Sequence, residues 1–456
     1  MSVALKSHYV STRNACKLCT PLGAALVFKG IKGAMPLLHG SQGCSTYIRR
    51  YLISHFREPV DIASSNFSEE TAVFGGGKNL LTAIKNIVAQ YHPSLIGIAT
   101  TCLSETIGED VPGMIRSITN EYFKEEPVLV HVSTPSYSGT HAEGFWAATR
   151  AVVERLGAKS GIGDRDRQVN IFPGICSPAD LRYLKEITND FGIFSVLLPD
   201  YSETMDGPAW SDYHPLPAGG TSIADIASMG WSLASLSLGR VACANLEKTA
   251  GESLRSRFSV RHYPLGMPIG IQETDELMQT LEKFSDVPMP EKYLLERGQL
   301  IDAMTDGHKY VFEKKALLYG EEDLVLGMAA FIAEIGMIPV LCASGGKSGH
   351  FRRLLEERVP TLKGTIEIAD GEDFAGIAET AEHLQPDIMI GNSKGYQIAR
   401  KLKVPLVRIG FPVHDRIGSQ RILHYGYRGA LSLYDKIVNA LLDVKQNESN
   451  VGFSYL

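Results

Sequence analysis

Short apolar runs separated by longer amphipathic stretches, repeated along almost the whole chain, constrain its fold more than any other feature. The runs 95–99, 128–132, 169–172, 195–198, 315–319, 337–342, 388–390 and 405–409 are three to six residues long and rich in Val, Ile and Leu. Between them lie the segments 79–91, 140–156, 178–191, 322–335 and 373–384, whose apolar residues recur at helical spacing. Runs that are apolar throughout fit strands covered on both faces, and helices between them supply the crossovers that parallel strands need. In Ser177-Pro178-Ala179-Asp180 a serine that can cap precedes a proline suited to a first helical turn. The predicted class is α/β, with three domains of doubly wound, Rossmann-like parallel sheets. The expected divisions are 1–165, 166–308 and 309–456. The first falls in the polar stretch 159–167, and the second follows the helical stretch 291–308. A last helix over 430–444 is expected to precede a polar tail at 445–450. Folds of this kind gather ligands at the carboxyl ends of their strands, so sites are expected between domains.

Composition narrows the function. The chain has 456 residues, with 45 Lys and Arg against 51 Asp and Glu and a formal net charge of −6. That balance argues against nonspecific binding of nucleic acid or an anionic membrane. The 21% charged and 44% hydrophobic residues are ordinary globular usage. No apolar run approaches the roughly 18–20 residues needed to span a bilayer, and the first residues carry no apolar leader. A soluble, cytoplasmic protein is expected.

The seven cysteines are an odd number and do not read as a disulfide framework. Cys243 and Cys342 stand among small apolar neighbours and read as buried hydrophobes. Cys176 sits at a strand-to-loop junction. Cys44 lies in the glycine-punctuated turn His39-Gly40-Ser41-Gln42-Gly43-Cys44, Cys102 ends the apolar run 95–101, and Cys19 precedes Pro21. Thiols at the ends of separate elements suit zinc, copper or an iron–sulfur group. The Cys16-x-x-Cys19 pair fits half a zinc site, a redox pair or coincidence, and no second C-x-x-C follows. Gly75-Gly76-Gly77-Lys78 and Ser344-Gly345-Gly346-Lys347-Ser348-Gly349 both miss the spacing of a phosphate loop and read as turns.

Several motifs in order resemble the beta subunit of nitrogenase component 1. They are Cys19-Thr20-Pro21-Leu22-Gly23-Ala24, His39 to Cys44, His55-Phe56-Arg57-Glu58-Pro59, Ala72-Val73-Phe74-Gly75-Gly76 and Thr100 to Asp110. Val404 to Pro412 and Tyr425 to Ala430 continue the resemblance. It implies that Cys19, Cys44 and Cys102 are ligands of a P-cluster of the 8Fe-7S type, shared with an alpha-type partner. It also implies that Ser136 can ligate the oxidised cluster, and that Tyr47 and Phe74 lie near the cluster and the reductase-docking surface. The implied assembly is an α2β2 heterotetramer served by an ATP-dependent iron protein, with the catalytic iron–sulfur cofactor in the partner chain. Gly251-Glu252-Ser253-Leu254 offers no cysteine where an alpha subunit anchors that cofactor. The implied substrate is dinitrogen or the C–S bond of a methylthio-alkane. The alternative is a non-catalytic scaffold for the iron–molybdenum cofactor, with a simpler 4Fe-4S cluster. About 18 residues precede Cys19, a short form that points toward scaffolds and methylthio-alkane reductases. Cys16 has no counterpart in the family pattern.

Overall fold

The structure is a computed structural model that describes residues 14–123, 126–160, 167–360 and 363–450. Thirteen strands are described, forming three sheets in which every pairing is parallel. The first sheet holds β1 (Ala34–His39), β2 (Ala63–Ser64), β3 (Leu95–Thr100) and β4 (Val128–Val132) in the order β2-β1-β3-β4. The second holds β5 (Gln168–Phe172), β6 (Phe194–Leu197), β7 (Ala234–Leu238) and β8 (Arg261–Leu265) in the order β6-β5-β7-β8. The third holds β9 (Lys315–Gly320), β10 (Ile338–Ser344), β11 (Glu367–Ala369), β12 (Ile388–Gly391) and β13 (Leu406–Arg408) in the order β11-β10-β9-β12-β13. Each order runs outward one way, then reverses, as in a doubly wound sheet. The reversals fall between β1 and β3, between β5 and β7, and between β9 and β12. Loops leaving the two strands at such a point diverge and open a crevice.

Helices cover the sheets because their apolar stripes need burial. In the first lobe these are α1 (Thr20–Lys29), α2 (Gln42–Phe56), α3 (Glu69–Phe74), α4 (Gly77–Tyr91), α5 (Cys102–Ile107), α6 (Val111–Tyr122) and α7 (His141–Leu156). All ten residues of α1 are buried. It lies so close to α7 that a Cβ on Gly23 would stand 1.8 Å from the carbonyl oxygen of His141, and one on Gly144 1.9 Å from that of Thr20. The main hydrophobic core is continuous across the lobes, from Leu22 and Phe145 through Val169 and Leu236 to Val325 and Phe331.

The expected capping serine is observed. Ser177 accepts from the Asp180 N–H at 3.0 Å, and Asp180 accepts from the Ser177 N–H at 2.9 Å. The buried Asp180 carboxylate also takes the N–H groups of His424 and Tyr425, at 2.6 and 3.0 Å. It thereby ties the start of the last helix to the second lobe. That helix runs over Gly426–Glu448, longer at both ends than the predicted 430–444, so most of the expected polar tail is helical. Within the expected linker 159–167, residues 161–166 lie outside the described residues. Among the described residues no helix is long and apolar enough to cross a membrane.

A candidate cluster-ligand site at three helix starts

Cys44 and Cys102 follow the two strands that flank the first sheet's reversal, β1 and β3. The chain leaves β1 through Gly40, whose φ of +155° and missing Cβ let Thr101 approach; a Cβ there would lie 1.9 Å from the Thr101 hydroxyl. The Thr101 N–H donates to the His39 carbonyl at 3.1 Å, and the Ser104 hydroxyl donates to that same carbonyl at 2.8 Å. The two loops are therefore pinned together, and a helix starts from each. Ser41 caps α2, placing Cys44 in its first turn, and Cys102 is the first residue of α5. Cys19 precedes α1 as its cap residue, with Pro21 in the first turn. Three thiols thus stand at three helix starts.

The thiols share one electrostatic neighbourhood. The Cys44 thiol is held above its ordinary pKa, first by burial and then by the nearby charges of Cys19 and Cys102. All three are half-buried. Ser136 joins two of them: its N–H donates to the Cys102 Sγ at 3.2 Å, and its Oγ accepts from the Thr20 N–H at 3.2 Å, beside Cys19. Tyr47 lies one turn after Cys44, with its ring 4.7 Å from that of Tyr51. Burial, the hydrogen bond with Tyr51 and the charge of Cys19 all raise its phenol pKa. Tyr47 and Ser136 therefore border the thiols. Phe74 does not; it ends α3 and is 83% exposed beside Val73 at 76%. Its link to the site runs through Gly76, whose N–H donates to Glu109 just beyond α5. Glu109 is bonded through its other oxygen to His39 Nε2 at 2.8 Å, and His39 Nδ1 meets the Ser65 hydroxyl at 3.0 Å. Burial lowers the His39 pKa, and the Glu109 carboxylate opposes that shift. Sequence reasoning quoted Glu109 and His39 only as parts of motifs, and no local pattern marks them as partners 70 positions apart.

Among the described residues no three His, Cys, Asp or Glu side chains converge on a single metal ion. Tyr47, beside the thiols, is 43% exposed, and Tyr137, next to Ser136 in the chain, is 66% exposed. Cys16 is directed elsewhere: it is buried against Leu317, Tyr319 and Leu341 of the third lobe, and burial pushes its thiol up to about 12. Cys243 and Cys342 are core residues whose thiols burial also raises. Gly75 and Gly76 form a turn between α3 and α4, and the 344–349 segment is the turn that leaves β10.

A family model described as nitrogenase component 1 type oxidoreductase matches residues 19–442, starting at Cys19 itself. The chain belongs to the nitrogenase component 1 family. Within that family it is a beta-type chain. It is 38% identical over 451 residues to the nitrogenase molybdenum–iron protein beta chain of Methanococcus maripaludis, covering 96% of each. It is 35% identical to the vanadium–iron protein beta chain of Trichormus variabilis, covering 96% of this chain and 95% of that one. It is 33% identical to the iron–molybdenum cofactor biosynthesis protein NifN of Bradyrhizobium diazoefficiens, covering 94% and 89%. A solved structure titled nitrogenase Cp1 at pH 6.5 superimposes with a TM-score of 0.94 at 34% identity, over 99% of this chain and 98% of that one. The match to nearly the full Methanococcus beta chain removes the weight that the short stretch before Cys19 placed against a molybdenum-type relative.

Proposed function

We propose that this chain is the beta-type, electron-relay subunit of a nitrogenase-like reductase, with Cys19, Cys44 and Cys102 holding its half of an iron–sulfur centre of the 8Fe-7S P-cluster type. The observation that carries the reading is the meeting of these three thiols beside the β1/β3 reversal of the first sheet. When bound, such a centre supplies reversible electron storage between an ATP-dependent iron protein and the catalytic iron–sulfur cofactor of an alpha-type partner. This chain's residues hold and shield it. The thiolates bind iron, the helix starts offset their negative charge, and the Ser136 N–H donates to the Cys102 sulfur. The Ser136 hydroxyl, which accepts from the Thr20 N–H beside Cys19, would supply a further oxygen ligand to such a centre. Tyr47 closes the Cys19 side, and exposed Phe74 and Val73 offer an apolar docking face for the iron protein. Three thiols leave a group of this size incomplete, so the alpha-type chain must complete it. Assembly and loading are then thermodynamically linked, and an α2β2 arrangement follows the family plan. The divisions 1–165, 166–308 and 309–456 assign the cluster ligands to the first domain. The protein is proposed to act in the cytoplasm, on dinitrogen or the C–S bond of a methylthio-alkane.

The identity to NifN supports a second reading, a scaffold for cofactor assembly with a 4Fe-4S group. The experiment is anaerobic purification with the natural partner, followed by iron counting and assay with the iron protein. Eight irons per interface and turnover of acetylene or a methylthio-alkane support the reductase. Four irons, no turnover and release of a cofactor to another protein establish the scaffold instead.

A further inference from the structure

The turn that carries Phe74 is tied to both cysteine loops through a single acid. Val73, Phe74 and Gly75, at the end of the short helix α3, are exposed, while Gly76 behind them is buried. We propose that Glu109 is a positioning residue for electron delivery: it holds the Phe74–Gly76 turn at a fixed separation from Cys44 and Cys102, so that a reductase seated on that turn brings its donor group within reach of the iron centre. The assignment rests on the reading of Val73 and Phe74 as the docking face and of the three thiols as cluster ligands. Three observations support it.

First, Glu109 uses both of its oxygens to join the turn to the sheet. One takes the Gly76 N–H, and the other meets His39 Nε2 at 2.8 Å. The Glu109 side chain is 4% exposed and that of His39 is fully buried, so a docked protein acts on the acid only through the turn. Hydrogen bonds to a carboxylate in so dry a place are strong and directional, and they fix the separation of the groups they join.

Second, the two cysteine loops meet at His39. Its Nδ1 bonds to the Ser65 hydroxyl at 3.0 Å, and that hydroxyl accepts from the Gly40 N–H at 2.9 Å, on the path to Cys44. The His39 carbonyl takes the Thr101 N–H and the Ser104 hydroxyl, on either side of Cys102. Glu109 also follows α5, the helix that Cys102 opens, and its own N–H donates to the Ser104 carbonyl at 3.4 Å.

Third, the turn is shaped to receive the acid. Gly75 has a φ of +90°, which a residue with a side chain rarely adopts. A Cβ on Gly76 would stand 2.4 Å from the Phe67 ring and 3.0 Å from a Glu109 oxygen. Phe67 meets the His39 ring edge-on with centroids 4.8 Å apart, and its N–H donates to the Gly40 carbonyl at 2.9 Å. The turn therefore closes on the sheet only where Gly76 has no side chain. Electron transfer slows steeply as donor and acceptor separate, so a shift of about 1 Å in the turn changes delivery without altering the centre.

The test follows re-reduction of the chemically oxidised centre in the anaerobically purified complex, with two electron sources. One is the iron protein with ATP; the other is a europium(II) chelate, which needs no docking face. In each case one electron leaves the donor and enters the centre. Glu109→Ala should lower the saturating rate with the iron protein about tenfold, with iron content and the europium(II) rate unchanged. Glu109→Gln should restore most of that rate. Its amide oxygen accepts from the Gly76 N–H, and its NH2 donates to His39 Nε2 once the ring proton sits on Nδ1 and is taken by the Ser65 hydroxyl. Gly76→Ala, which displaces the same carboxylate from the turn side, should reproduce the loss and carries the test if Glu109→Ala misfolds. A parent-like iron-protein rate in either variant that keeps its iron would overturn the proposal. So would an equal fall with both electron sources, iron loss in both variants, or a glutamine variant as slow as the alanine one. A parent complex that europium(II) reduces and the iron protein does not would overturn the docking reading itself, and the proposal with it.

Discussion

Gly144→Ala tests how the fold aims Cys19. Gly144 lies on α7, far along the chain from Cys19, and touches it only through packing. The added methyl would stand 1.9 Å from the Thr20 carbonyl oxygen and 2.7 Å from its carbon, where ordinary contact begins at 3.4 Å. No side-chain rotation relieves a clash with backbone, so α1 must retreat by about 1.5 Å. Overpacking of this kind commonly costs roughly 1–3 kcal/mol, and a backbone contact belongs at the upper end. Replacing a helical glycine returns up to about 1 kcal/mol. The net loss is about 2 kcal/mol, or roughly 4–8 °C in melting temperature for a domain of ordinary size. Cys19 shifts with Thr20 relative to Cys44 and Cys102, and the Thr20 bond to Ser136 is disturbed. The assay pairs melting with iron content of the anaerobically purified complex. Gly298→Ala is the control: that exposed helical glycine has nothing within 4 Å of its Cβ position, and alanine there should stabilise slightly. A Gly144→Ala protein with parent-like melting and full iron would show that the α1–α7 approach does not position Cys19.

Three further outcomes follow from the same structure. Cys44→Ala should strip interfacial iron and weaken the hold on the partner, whereas Cys342→Ala should keep its iron and lose only about 1 kcal/mol of core packing; equal iron loss in both would contradict the ligand assignment. Phe74→Ala should leave iron content and stability unchanged, to within about 0.5 kcal/mol for so exposed a residue, while slowing reduction by the iron protein; an unchanged rate at subsaturating iron protein refutes the docking role. Acid should destabilise the chain well before its carboxylates titrate. Burial lowers His55 to about 3 and His141 to about 4, so below an unfolded value of about 6.5 the unfolded chain takes up protons that the folded one refuses. Stability is complete above that pH and falls by roughly 1.4 kcal/mol per pH unit for each ring as pH drops toward 4. Urea midpoints that match at pH 7 and pH 5 would disprove this.

The strands that the sequence revealed are the ones with unbroken apolar runs, both central (β3, β5, β9, β10, β12) and at the edges (β4, β6, β13). The runs 95–99 and 128–132 became Leu95–Thr100 and Val128–Val132; the first is buried along its whole length, and the second keeps an apolar signal although it is partly exposed at the sheet edge. The missed strands have identifiable causes. β8 is Arg-His-Tyr-Pro-Leu at a sheet edge, with mostly part-exposed side chains. β7 is Ala-Ser-Leu-Ser-Leu, whose buried serines mimic an alternating or loop pattern. β1 contains Pro36, which argues against a central strand. Its neighbour β2 pairs only with Leu37 and Leu38, so Pro36 lies beyond that ladder. Cys19, Cys44 and Cys102 were legible through family motifs, and their meeting followed from topology. The spacing of Cys16 and Cys19 is neutral between them, and only the family motif singled out Cys19. The structure separates them by turning Cys16 into the third lobe.

The central claim is that three thiols of this chain share one iron centre completed by a partner. Cysteine alkylation of the intact anaerobic complex, read by mass spectrometry before and after iron chelation, tests it most directly. The account predicts that Cys19, Cys44 and Cys102 are all protected in the loaded complex and become reactive together on chelation, while Cys16 and Cys342 stay protected by the core throughout. Free reaction of any of the three in the loaded complex, or unmasking of one without the others, would contradict it.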